Sequence, residues 1–227
     1  RGGARLLEVQ SACPFRAQAE FRLGARALEE PEIGVAASER GELVHGVLAR
    51  IWSDTRDQRT LSKLSQDELS AMIRSAIAAQ TAVAQRDAQG VMRHLLEIEN
   101  EWLESRITEL LAADLARPQF TIEGVEEQRS ISIGGMTLSL RIDRVDRLDD
   151  GSIAVIDYKT GSDAEPDAWL GERPRLPQLP LYAEALGMER VSAVAFGRVR
   201  TGDTGFSGLT RDSAVFPGLK SPTVRGW

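Results

Sequence analysis

The chain has 227 residues, 42% of them hydrophobic, and carries 34 acidic against 28 basic side chains for a net charge of −6. That is enough apolar material for a core and too little positive charge to coat a nucleic acid by bulk attraction. One cysteine, Cys13, and two histidines exclude a disulfide framework and a four-cysteine zinc or iron–sulfur site, so any metal must rest on carboxylates.

In chain order, residues 14–28 are rich in Ala, Arg, Leu and Glu and read as a helix, with Phe15 and Phe21 as its large apolar groups. A second helix opens with Ser38 as N-cap, and its apolar positions 43, 44, 47, 48, 51 and 52 follow the spacing of one buried face. Ser65 and Glu68 form a capping box that starts a third helix, running to about Ala88. A fourth extends from about 91 to 115 and stops ahead of Pro118. There the pattern changes to alternation. Residues 119–133 and 136–147 are strands joined by the hairpin turn Gly134-Gly135, and Asp149-Asp150-Gly151 turns the chain into a third strand over 152–159. A linker over 163–175, with Pro166 and Pro174 and a short helical turn, leads to a helix from about Gln178 to Gly187 and a strand at 191–199. The tail after Thr201 is rich in Gly, Ser and Thr and receives no element. The order β-β-β-α-β behind a helical front is an α/β fold, or α+β by strict count. It is expected as one domain, a helical part over 1–118 and a sheet part over 119–227.

Charge is uneven along this order. Residues 1–28 carry five Arg against two Glu, residues 191–227 five basic groups against two Asp, and residues 119–161 eight carboxylates against five basic groups. An acidic centre with basic flanks suits a metal-dependent site that handles a polyanion, and a solvated surface gives the same pattern. No run nears the ~20 apolar residues of a membrane helix, and nothing at the start resembles a signal peptide. Cytoplasm is the expected compartment, with no membrane partner. Arg1 in place of Met suggests a processed chain or a domain cut from a longer protein.

The third strand carries the chemistry. Alternation puts Ile153, Val155, Asp157 and Lys159 on one face and Ala154, Ile156 and Tyr158 on the other. An acid and a lysine aimed the same way at the end of a buried run need a reason, because burying either alone is costly; a plain ion pair is one. On the preceding strand Ser139, Arg141 and Asp143 share a face, and Asp143 lies 14 residues before Asp157 across a tight turn. Hairpin neighbours sit ~5 Å apart, and two carboxylates that close repel unless a cation lies between them. Hard divalent ions, Mg²⁺ or Mn²⁺, favour such oxygen ligands, and Lys159 would stabilise developing charge beside them.

Asp143 followed by Asp157-Tyr158-Lys159 resembles the signature of the PD-(D/E)XK nuclease superfamily. Three further elements resemble its RecB-like branch: Arg40-Gly41-Glu42-Leu43-Val44-His45, the Thr160-Gly161 pair after the lysine, and Gln178-Leu179-Pro180-Leu181-Tyr182. Cys13-Pro14-Phe15-Arg16 resembles that branch's N-terminal Cys-Pro-Phe element. The resemblance implies a restriction-endonuclease-like core and a Mg²⁺- or Mn²⁺-dependent exonuclease of DNA repair and recombination. It implies Asp143, Asp157, His45 and the Tyr158 backbone carbonyl as metal ligands and Lys159 as the catalytic lysine. Gln178 and Tyr182 would line the site or hold the DNA backbone; Arg144, from its place directly after Asp143, is a further candidate to touch phosphate. It further implies DNA as partner, a helicase domain or subunit of a larger repair protein as companion, and the bacterial cytoplasm or nucleoid as location. Some members hold an iron–sulfur cluster with four cysteines; only Cys13 exists here, so none is expected and Cys13 is read as a small buried apolar group.

Other readings of the same residues stay open: a nuclease-like module that binds DNA ends or a helicase partner without cutting, or an α/β domain whose acid–lysine pair is only an ion pair. His94 is read as structural, Arg141, Arg144 and Arg147 as partners of nearby Asp, and Trp52, Trp102 and Trp169 as core or interface. Gln178 and Tyr182 can also be ordinary helix packing.

Overall fold

Ile153, Ala154, Val155 and Ile156 are all fully buried, so this run needs cover on both of its faces, and the rest of the chain supplies it. The computed structural model describes residues 3–26, 28, 34–161, 166–169 and 174–221. It contains α1 (Gly3–Ala12), α2 (Pro14–Phe21), α3 (Ala37–Thr55), α4 (Gln58–Ser62), α5 (Gln66–Asp87) and α6 (Val91–Leu115), then β1 (Phe120–Ile133), β2 (Met136–Leu148), β3 (Ile153–Lys159), α7 (Gln178–Leu186), β4 (Val191–Arg198) and β5 (Gly205–Thr210). The five strands lie side by side in chain order. All neighbours are antiparallel except β3 and β4, which are parallel and joined through α7. The class is the expected mixed α/β one, consistent with a restriction-endonuclease-like fold.

Two cores flank the sheet. On one side α3, α5 and α6 pack Leu48, Ile51, Trp52, Ile73, Leu103 and Ile107 against Ala154, Ile156 and Tyr158 of β3. On the other, α7 packs Leu179, Tyr182 and Leu186 against Ile153, Val155 and Ile142, with Leu7 of α1 at the margin. Alternation thus makes β3 the shared wall of both cores.

Several elements follow the sequence closely. Ile133 faces Met136 across Gly134 (φ 56°) and Gly135 (φ 78°), a two-residue turn whose left-handed pair only glycine adopts freely. The Ser65 hydroxyl accepts the Glu68 N–H at 3.3 Å, and the Glu68 carboxylate accepts the Ser65 N–H at 2.8 Å. Other elements differ. The helix expected at Ser38 starts at Ala37 instead, because the Glu39 carboxylate itself accepts the Ala36 N–H at 3.4 Å. The helix expected over 14–28 begins at Pro14 but stops at Phe21, residue 27 lies outside the described residues, and a separate α1 precedes it. Pro14 sits in the first turn of α2 and holds Cys13 extended (φ −159°, ψ 108°), which breaks the two helices apart. Cys13 is therefore exposed at the junction rather than buried, and Phe15 is exposed beside it.

β5 occupies the tail that received no element; its Gly208 fits where a Cβ would come within 2.1 Å of the Val194 carbonyl oxygen. In the linker, Pro166–Trp169 forms a 3₁₀ turn whose Trp169 stacks on Phe196, while residues 163–165 and 170–173 lie outside the described residues. His94 is exposed beside Glu97, and Arg147 pairs with Glu123 rather than an Asp. Among the described residues no helix is long and apolar enough to cross a membrane.

Candidate active site

The C-terminal end of β3 is where both layers of the molecule reach the sheet. The register of β2 on β3, with Arg144 opposite Ile156, brings Asp143 beside Asp157. From the α3 side, His45 places Nε2 2.9 Å from the Tyr158 carbonyl oxygen and Nδ1 3.3 Å from Asp143 Oδ1. The Tyr158 N–H donates to Asp143 Oδ2 at 2.8 Å. From the α7 side, Gln178 accepts from Lys159 Nζ at 2.9 Å and donates to the Tyr182 hydroxyl at 2.6 Å. The Tyr182 hydroxyl donates onward to the Arg141 carbonyl. Gln178 and Tyr182 stand one helical turn apart on one face, and together they orient Lys159.

Glu126 is a member of this cluster that sequence reasoning missed. Ligand atoms of His45, Glu126 and Asp143 lie within 4.8 Å of one another. Its backbone is left-handed (φ 52°), and the paired register lapses between Val125/Arg144 and Glu127/Ile142. Such a conformation costs a non-glycine residue about 1–3 kcal/mol, a strain that clusters at functional sites. A signal was present: Glu126 lies eight residues before Gly134 and Asp143 eight after Gly135, so a two-residue hairpin turn sets them face to face.

Asp157 stands outside that group. Lys159 Nζ lies 2.7 Å from Asp157 Oδ2, while the buried Oδ1 has no hydrogen-bond partner among the described residues. Burial first, and then the Asp143 charge, push its carboxyl above the ordinary carboxylate range, against the pull of Lys159. Burial lowers His45, but the hydrogen bond and charge of Asp143 with the charge of Asp157 outweigh it and raise the imidazole to about 9. Burial likewise lowers Lys159, and the adjacent Asp157 more than restores it, so the ammonium stays charged. Tyr182 is held protonated by burial and by the Asp157 charge.

Of these groups His45, Asp143, Gln178 and Tyr182 line a cleft of about 790 Å³, walled further by Arg5 and Glu8 of α1, Glu42 of α3, Gln80 of α5, and Ser139 and Arg141 of β2. Arg141 projects toward solvent and pairs with Glu126. Arg144 does not reach the cleft, contrary to the expectation that it touches phosphate. Its side chain is 0% exposed, because β2 aims it at the helical layer, where Asp114 of α6 meets it.

The family model of the PD-(D/E)XK nuclease superfamily matches residues 5–207. The chain belongs to that superfamily. No curated protein matches it. A solved structure titled "Crystal structure of SSO0001" is 19% identical over 84% of this chain and 72% of that one, with a TM-score of 0.28, a likeness too slight to carry an argument.

PD-(D/E)XK nucleases generally use divalent metals, and the residues present fit one. Ligand atoms of an imidazole and two carboxylates converge, the Tyr158 carbonyl oxygen lies 2.9 Å from the imidazole, and the buried Asp157 Oδ1 has no hydrogen-bond partner among the described residues. Hard oxygen-rich donor sets of this kind suit Mg²⁺ or Mn²⁺. His45, Asp143 and Glu126 would hold the ion, with the Asp157 carboxylate as a further oxygen donor beside Asp143.

Proposed function

We propose that the chain is a metal-dependent deoxyribonuclease domain of the RecB-like branch, an exonuclease that hydrolyses phosphodiester bonds in DNA repair and recombination, with DNA and a helicase domain or subunit as its partners. The observation that carries this reading is the meeting of His45, Asp143, Asp157, Lys159, Gln178 and Tyr182 in one cluster at the end of β3, from α3, β2, β3 and α7, with His45, Asp143, Gln178 and Tyr182 lining a cleft. A bound divalent ion would polarise the scissile phosphate and make an attacking hydroxide available near neutral pH. Lys159, held by Gln178, presents a fixed positive charge to oxygens that gain charge during cleavage. Asp143 is oriented by the Tyr158 N–H and by His45, so its carboxylate is set before substrate arrives.

The test is nucleotide release from end-labelled linear DNA, single- and double-stranded, with closed circular DNA as control. Wild type with Mg²⁺ or Mn²⁺ is expected to digest the linear substrates, and Asp157→Ala and Lys159→Ala to lose at least a hundredfold in rate. Equal cutting by all three proteins would sink the assignment, and digestion of the circle would replace exonuclease with endonuclease.

A second reading is favoured by one observation: Asp157 pairs with Lys159 and His45 with Asp143, so the cluster partners itself. That arrangement suits an inert nuclease-like module that binds DNA ends or a helicase partner. Calorimetry separates the two, since only the enzyme requires Mn²⁺ binding that depends on Asp143 and Glu126.

A further inference from the structure

Arg144 spends every N–H it has in the interior. Nε donates to Asp146 Oδ1 at 2.6 Å, and Nη2 to Asp146 Oδ2 at 2.8 Å and Asp114 Oδ1 at 3.0 Å. Nη1 donates to Asp114 Oδ2 at 2.8 Å and to the Tyr158 phenol oxygen at 3.3 Å. Arg117 completes a neutral quartet, 2.7 Å from Asp114 and 2.8 Å from Asp146. The guanidinium carbons lie 4.0 Å from the Trp52 ring centre for Arg144 and 3.8 Å from that of Phe216 for Arg117.

Stability alone is a poor reason for such a cluster, because apolar side chains of similar volume commonly replace buried ion groups without loss. Its place in the fold offers another. The one neutral side chain that Arg144 bonds among the described residues is Tyr158, and the two peptide groups of Tyr158 meet two residues that line the cleft: its N–H holds Asp143 and its carbonyl faces His45. The Tyr158 ring has no slack. Gly197 lies so close that a Cβ there would come within 2.7 Å of the ring, and the His45 ring packs edge-on at 5.9 Å between centroids.

We infer that Arg144 and Tyr158 are positioning residues: the quartet fixes the phenol, and through it the peptide that orients Asp143 and presents a carbonyl beside His45. The geometry of the site is thus set from the core, behind the cleft. Its effect on ion affinity rests on the metal-dependent reading above; its effect on the peptide does not.

The test uses the full chain and two variants. Tyr158→Phe keeps the ring and removes the phenol. The double variant Arg144→Met with Asp146→Asn removes the fork while leaving Arg117 paired with Asp114, so the buried charge stays balanced. Three quantities are measured: Tm, amide hydrogen exchange at position 158 without metal, and Mn²⁺ affinity by calorimetry. In both variants the amide at 158 is expected to exchange about tenfold faster relative to that of Val155, and Mn²⁺ to bind about tenfold more weakly, with Tm close to wild type for Tyr158→Phe. A merely structural cluster would lower Tm in the double variant and leave exchange at 158 and Mn²⁺ affinity at wild-type values in Tyr158→Phe; that outcome overturns the inference. If the double variant does not fold, Tyr158→Phe decides alone. If wild type binds no Mn²⁺, the metal-dependent reading falls, and the exchange measurement still decides the positioning role.

Discussion

Glu126 is held in a backbone conformation that glycine would adopt without strain, and its carboxylate faces His45 and Asp143. Its pairing with the exposed Arg141 is of the kind worth little in water. Glu126→Gly is therefore expected to stabilise the metal-free protein by about 1 kcal/mol in denaturant unfolding while weakening Mn²⁺ binding about tenfold. A loss of stability would mean that the carboxylate, and not the fold around it, maintains that conformation. His45 gives a pH dependence with a definite sign. Its pKa is raised from 6.5 to about 9 in the folded, metal-free protein, so its proton contributes stability that is whole below 6.5 and is lost as pH climbs through 9. Asp157, also raised, acts in the same direction at lower pH. A metal ion needs the imidazole neutral, so Mn²⁺ affinity should rise about tenfold per pH unit up to about 9 and then level off, with one proton released per ion. Titration calorimetry in buffers of different ionisation enthalpy reads both, and a flat profile would remove His45 from the ligand set.

Among the elements, those with a long period were legible and those defined by one contact were not. The apolar spacing of α3, the Ser65–Glu68 box of α5 and the Gly134-Gly135 turn each repeat or combine local preferences, so a single chain displays them. α4 has five residues and depends on Asp57 accepting the Thr60 N–H. β5 has six, two of them glycine, and exists because β4 offers an edge. Gly208 makes the point testable. A methyl group there would collide with the Val194 backbone, so Gly208→Ala is expected to cost about 1–3 kcal/mol and to lower Tm, while the same change at Gly161, where no atom of the described residues lies within 4 Å of an added Cβ, should cost well under 1 kcal/mol. Equal losses at the two positions would show that β5 does not pack as described.

At the scale of the whole molecule, the ordered residues His45, Asp143, Asp157, Lys159, Gln178 and Tyr182 could be read because each stands in a short local pattern. Glu126, Asp114 and Arg117 could not, since their importance lies in what they face: Glu126 across a hairpin, Asp114 and Arg117 behind β2. The pairing of Arg144 with a nearby Asp is legible in Asp146, but its expected contact with phosphate is not met, because a local pattern does not tell which layer a strand residue enters. His45 comes from the layer on one side of the sheet, and Gln178 and Tyr182 come from the layer on the other. A partly unfolded chain that has shed the helical layer therefore lacks His45, and one that has shed α7 lacks the groups that orient Lys159. With Mn²⁺ at a hundred times its dissociation constant, mass action should add about 2.7 kcal/mol to the resistance of the entire chain to unfolding. A chelator would then act as a mild denaturant, loosening helices on both sides of the sheet together.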